Sequence, residues 1–215
     1  MPAAPRIDQM APQRLEAAVF AMGSFLRTEA RFGVIRGVWK TSVGYAGGRH
    51  AAPSSSDTRD HIEAVRVEYD PVTISYGQLL ELFLEWGISS GDPCFPRYAP
   101  CVFVKNEFEK RMAQAATDRC RLRPEASPRI RIAAYRAFHM GPNRFQKYFL
   151  RNLLWLMQDL KHFYDDEKNF IRSTLAMRLN GVVGQLLPLA RLPESIELYD
   201  LSEDILHTLK KYIVS

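Results

Sequence analysis

Apolar positions fall into short runs with two different periods. Residues 16–22, EAAVFAM, form a compact apolar run that stops at Gly23, the mark of a buried strand. Residues 24–36 mix polar and apolar positions in a way that suits a helix, and VWKTSVGYAGG (38–48) reads as a strand closing on a glycine turn. IEAVRVEYDP (62–71) alternates: Ile62, Ala64 and Arg66 take one face, Glu63, Val65, Val67 and Tyr69 the other, until Pro71 ends it. Ser75 and Gln78 form a capping box ahead of Leu79, Leu80, Leu82, Phe83 and Trp86 at helical spacing. After a loop, YAPCVFVK (98–105) reads as a strand, and Asn106 with Glu109 opens a helix to about Arg121. RIRIAAYRAF (129–138) reads as one more strand. Asn143 with Gln146 then predicts a single long helix, RFQKYFLRNLLWLMQDLKHFY (144–164).

The order is thus β-α-β-β-α-β followed by α-β-α. Its first six elements match the split βαβ arrangement, so the expected class is α+β: a ferredoxin-like two-layer sandwich with a C-terminal helical extension. Residues 1–14, rich in Pro and Ala, read as a flexible N-terminus, 15–150 as the α+β domain, and 151–215 as the helical extension packed on it. A short helix from Leu201 follows the Gly- and Pro-interrupted stretch NGVVGQLLPLARLP.

Composition narrows the chemistry. No apolar run approaches the roughly 18 residues of a membrane span. The cysteines are Cys94, Cys101 and Cys120, an odd count without metal-type pair spacing. That argues against a disulfide framework and a zinc site, and no cofactor is expected. The setting expected is reducing: cytoplasm or an organelle matrix, the mitochondrial one included, since the N-terminus is only mildly Arg-bearing and lacks a signal-peptide apolar region. The net charge of +5 allows acidic partners without requiring them. Arg119, Arg121, Arg123, Arg129, Arg131 and Arg136 read either as a phosphate-contacting cluster or as a solvated helix end and strand face; the absence of interleaved aromatic residues favours the latter.

Three segments carry a family resemblance. VFAMGSFLRTEARFGVIRGVWKTSVGYAGG, DHIEAVRVEYDPVTISYGQLLELF and FQKYFLRN, in that order over about residues 17–151, resemble the signatures of peptide-methionine (S)-S-oxide reductases, the A class of methionine sulfoxide reductases. FIRSTLAMRLNG in the tail looks like a longer variant of that family. The resemblance implies a cysteine at the start of the first main helix that attacks the sulfoxide sulfur, and a glutamate that donates a proton. The first falls on Ser24, the second on Glu63. The neighbouring aromatic is retained as Phe25, whereas the tryptophan that helps cage the methyl group is Leu26 here. A helper acid and tyrosine belong in SSGDPCFPRYAP, where Asp92 and Tyr98 are the nearest candidates at a spacing that departs from the family's. The tyrosine many members carry after the glycine turn has no counterpart in 49–60, and C-terminal resolving cysteines are missing.

Ser24 reads as a helix N-cap rather than a nucleophile, because a hydroxyl without an adjacent base is a poor nucleophile. Sulfur also accepts oxygen and returns it through thiol exchange, and a serine oxygen has no such ladder. Glu63 is either a buried carboxylate with a functional role or one tied up by tyrosine or backbone N–H groups. Phe25, with Phe20 and Tyr45, either lines a methyl-binding pocket or is core; His61 reads as a loop-edge histidine. Cys94 and Cys101 bracket the loop facing the pocket, but nothing at a helix start lowers their pKa, and Cys101 reads as inert core. The expectation is a catalytically inactive relative acting as a binding or structural subunit, with vestigial affinity for methionine sulfoxide peptides and a partner in a larger protein or ribonucleoprotein assembly. The alternatives are a reductase disarmed by a deliberate Cys→Ser exchange at Ser24, and a basic RNA-associated protein.

Overall fold

A computed structural model describes residues 4–50, 53, 57–88, 98–121, 130–185 and 187–214. A short helix, α1 (Arg6–Gln9), precedes β1 (Glu16–Ala21), α2 (Phe25–Phe32), β2 (Val38–Ala46), β3 (Ile62–Tyr69), α3 (Tyr76–Ile88), β4 (Cys101–Val104), α4 (Glu107–Arg121), β5 (Arg131–Ala134) and β6 (Phe138–Met140). Helices α5 (Tyr148–Arg151), α6 (Leu154–Leu160), α7 (Glu167–Arg172), α8 (Thr174–Gln185) and α9 (Glu203–Val214) follow.

The strands form one six-stranded sheet in the order β5-β4-β1-β3-β2-β6. Its centre, 4-1-3-2, is the split βαβ order, with β3 antiparallel to both β1 and β2. Among the described residues only β4 and β5 pair in parallel, as the intervening α4 crossover requires. One face carries Ala18, Phe20, Val43, Val65, Val67, Tyr69 and Val102 under α2 and α3. The other holds Val19, Ala21, Ala46, Ile62, Ala64, Cys101 and Phe103. Both faces of β3 are therefore largely buried, as a central strand demands.

Local chemistry explains the element starts. Gln78 Oε1 accepts from Ser75 N at 2.9 Å and Ser75 Oγ accepts from Gln78 N at 3.3 Å, the reciprocal capping box expected for α3. Asn106 Oδ1 accepts from Glu109 N at 2.9 Å to start α4.

Three expectations are corrected. The single strand expected over 129–138 divides among the described residues: β5 lies on β4, and the chain then crosses to the opposite sheet edge, where β6 pairs with β2. The long helix expected over 144–164 is broken into a 3-10 turn at Asn143–Phe145, then α5 and α6. The break has a buried polar cause. Gln146 turns its amide onto the edge of β2, accepting from Val43 N at 2.9 Å and donating to Val43 O at 2.7 Å. Lys147 then adopts a left-handed backbone (φ 55°) and sends its ammonium inward to Glu29 Oε1 (2.6 Å) and Thr41 O (2.9 Å). No Asn143 side chain caps the turn. Finally, residues 6–9 form a docked helical turn in which Ile7 is fully buried. Asp8 accepts from Leu175 N (2.9 Å) and Tyr164 OH (2.7 Å), and Arg6 pairs with Asp200 at 2.7 Å.

The C-terminal helices build a second apolar cluster with Ile7, including Leu150, Leu156, Phe170, Leu175, Leu179, Tyr199 and Leu209. It meets the sheet domain where α8 crosses α2. The approach is close enough that a Cβ on Gly33 would lie 2.7 Å from Met177 O, which explains a glycine at that helix end. Arg178, with no exposed surface, donates to the carbonyls of Gly33 (2.8 Å), Ile35 (3.2 Å) and Val38 (2.8 Å) and pairs with Glu194 at 2.6 Å.

Candidate active site

The site begins where β1 gives way to α2. Gly23 takes φ +50° with its N–H on Tyr98 O at 3.1 Å, a conformation glycine reaches without penalty. Ser24 follows as the N-cap of α2 with extended backbone angles. Its hydroxyl makes no capping bond among the described residues. The cap comes from across the sheet: Phe25 N donates to Glu63 Oε2 at 3.2 Å. The expected serine cap is thereby corrected, because a carboxylate on the adjacent strand meets the partial positive charge of the helix end better than a hydroxyl does.

Register puts Glu63 there. Glu63 pairs with Tyr45 on β2, and Tyr45 pairs in turn with His139 on β6, so the three share one row on the helix-covered side. The Phe25 ring lies between two aromatic neighbours, Tyr45 at 5.8 Å and Phe145 at 5.6 Å. Leu26 is half-buried and packs against the main apolar cluster. Phe20, by contrast, stacks on Phe32, Tyr76 and Phe83 and belongs to the core.

A second row lies at the same end of the sheet. His61 is 3% exposed rather than at a loop edge, edge-on to the His139 ring at 5.1 Å. Among the described residues its Nδ1 has no hydrogen-bond partner, with Asp60 Oδ1 3.6 Å away, and it faces the glycine turn, where a Cβ on Gly48 would lie 2.2 Å away. Burial, reinforced by His139, pushes the imidazole below its ordinary pKa and favours the neutral form. Asp60 beside it is held in the charged form by the Arg49 N–H and His50.

The structure thus brings together Ser24, Phe25, Leu26 and Glu63, with Tyr98 touching the turn through its carbonyl. Asp92 and Cys94 lie outside the described residues. Cys101 is buried on the opposite face of the sheet, and burial pushes its thiol up to about 12; Cys120 is also buried. Cys101 is therefore no ready thiolate at this site. Among the described residues no group of His, Cys, Asp and Glu could hold a metal ion. The sequence does not single out His139, because β6 is three residues long and reads as one strand with β5, nor Arg144 and Phe145, because they fall in the stretch that reads as one long helix. The only signal was the aromatic residue next to Gln146.

A helix end with an apolar aromatic wall and a carboxylate presented by the next strand defines a site for a small group that has both a hydrogen-bonding oxygen and an apolar substituent. The model of the peptide methionine sulfoxide reductase family matches residues 16–174, and the chain belongs to that family. It is 37% identical over 182 residues to peptide methionine sulfoxide reductase A5 of Arabidopsis thaliana, covering 81% of this chain and 70% of the relative. Over 155 residues it is 34% identical to peptide methionine sulfoxide reductase MsrA of Cronobacter sakazakii, covering 66% and 73%. The fold is shared with methionine sulfoxide reductase A of Corynebacterium diphtheriae, at a TM-score of 0.57 with 20% identity, covering 66% of this chain and 77% of that one. It is shared also with reduced Mxr1 of Saccharomyces cerevisiae, at 0.56 with 19% identity over 66% and 88%.

Proposed function

We propose that the protein is an MsrA-like binding member of the family, one that recognises methionine sulfoxide in peptides without reducing it. The observation that carries this reading is the Phe25 N–H on the Glu63 carboxylate beside a hydroxyl at position 24. That pairing supports recognition of a sulfoxide oxygen, and Ser24 supports the loss of the atom that would take it up. The methyl group of a sulfoxide would lie beside the Phe25, Tyr45 and Phe145 rings, and its oxygen would meet the Ser24 hydroxyl at the helix end. Reduction would then require sulfur as the oxygen acceptor, and serine stops the sequence before its first step. The buried Cys101 and Cys120 offer no substitute.

Incubation with a methionine sulfoxide peptide and dithiothreitol tests this directly. The unaltered protein is expected to bind the peptide in preference to its methionine counterpart, with no methionine formed. Turnover proportional to protein concentration overturns the reading. Turnover gained by Ser24→Cys would place the loss at that one atom; no gain would mean that the pocket has changed as well, with Leu26 the first position to examine.

A further inference from the structure

We propose that Met140 is a site of oxidative modification, where hydrogen peroxide turns the thioether into a sulfoxide whose oxygen draws the Gln146 amide off the edge of β2 and loosens the aromatic wall of the site. The effect on β2 is argued from the fold alone; its effect on the site rests on the reading of that site given above.

Met140 ends β6 and is 54% exposed. Met10 is comparably open at 52%, whereas Met22 and Met177 are buried. Exposure admits an oxidant to both surface methionines. What sets Met140 apart is a donor: Gln146 Nε2 lies 3.4 Å from its sulfur. That nitrogen carries two hydrogens, and it also donates to Val43 O at 2.7 Å and to Gly141 O at 3.0 Å. Two N–H groups thus already serve three acceptors, in a side chain with no exposed surface. The arrangement holds because a thioether is a weak acceptor and competes poorly with the two carbonyls.

Oxidation changes that balance. A sulfur lone pair attacks one peroxide oxygen, the S–O bond forms as the O–O bond breaks, and water leaves; the sulfur gives up two electrons and the peroxide takes them. An apolar side chain becomes a polar one, and its new oxygen is a strong acceptor that rotation of the side-chain end brings to Nε2. One carbonyl then loses its donor, which is costly for a buried group. Val43 is the more vulnerable partner because it meets both ends of the amide: its N–H donates to Gln146 Oε1 at 2.9 Å. An amide turned toward Met140 gives up both bonds. Lys147, next in the chain, stays anchored to Glu29 at 2.6 Å. The released stretch is therefore short, from Gly141 to Gln146, and it includes Phe145, whose ring lies 5.6 Å from that of Phe25.

Peroxide treatment of the full chain, followed by peptide mass spectrometry and amide exchange measured by nuclear magnetic resonance, tests the proposal. Met140 is expected to gain an oxygen together with Met10, and the Val43 amide to exchange at least about tenfold faster while the β1 amides stay protected. Met140→Leu keeps the apolar bulk without the sulfur, and its Val43 rate is expected to be unmoved by the same treatment. Met140 left intact while Met10 is converted overturns the proposal. So does a sulfoxide at Met140 with the Val43 rate unaltered, and so does an acceleration that persists in Met140→Leu. Fluorescence anisotropy reads the site separately: the treated protein is expected to bind a methionine sulfoxide peptide about tenfold more weakly, and treated Met140→Leu as tightly as before. Unchanged affinity in a protein whose Val43 amide has been freed overturns the link to the site. An untreated protein that binds no such peptide refutes the pocket reading instead, and the exchange measurement still decides the fate of Met140.

Discussion

Lys147 combines two costly features, a left-handed backbone and a fully buried ammonium, and each explains the other. Only that backbone turn lets Lys147 N donate to Glu29 Oε2 (2.9 Å) while its side chain reaches Glu29 Oε1. Lys147→Met would leave the Glu29 carboxylate buried without its counter-ion, and is expected to lower unfolding free energy by about 3–5 kcal/mol in urea denaturation. A loss below about 1 kcal/mol would show that the pair is not structural. Lys147 was invisible as a special residue in the sequence, because its partners lie 118 and 106 residues away. Glu63 and Ser24 are legible because each sits within its own short motif, although the sequence points to the Ser24 hydroxyl as the cap of the helix and the Glu63 carboxylate takes that bond.

At the scale of elements, local signals succeeded where both partners of an interaction lie within four residues. Ser75 with Gln78 and Asn106 with Glu109 start helices as read. Asn143 with Gln146 has the same spacing but starts only a 3-10 turn, because the Gln146 amide is drawn onto Val43 at the sheet edge. Strand 129–138 failed for a similar reason: edge strands are assigned by which neighbour offers free backbone groups, and two neighbours at opposite edges did. The connection between α2 and β2 depends likewise on a distant side chain, Arg178, which ties down two of its carbonyls and that of the first residue of β2. Arg178→Met is expected to raise amide exchange at Ile35 and Val38 at least about tenfold while the β3 amides stay protected. Uniform acceleration would instead indicate global destabilisation, and no change would dismiss the guanidinium as the fastener.

For the whole molecule, α8 belongs to both apolar clusters and joins them to α2. Phe25 and Phe32 face the sheet with Met177, whereas Leu175 and Leu179 of α8 face the tail. An interface shared in this way leaves no seam along which the C-terminal helices could melt by themselves. Thermal unfolding is therefore expected to show one calorimetric transition, coincident by near- and far-ultraviolet circular dichroism. Two separated transitions would make the tail an independent unit. The split βαβ arrangement at the centre of the sheet is legible from element order alone. The second cluster is not, since its helices are short and interrupted and draw Ile7 from a segment that looks unstructured by composition.

The contact between Arg6 and Asp200 spans 194 residues of chain. Joining positions so far apart is entropically expensive until almost everything between them is already in place. The clasp of α1 is therefore a late event in folding, nearly absent from the transition state. Its contribution falls on the rate at which the finished protein comes apart rather than on the rate at which it forms.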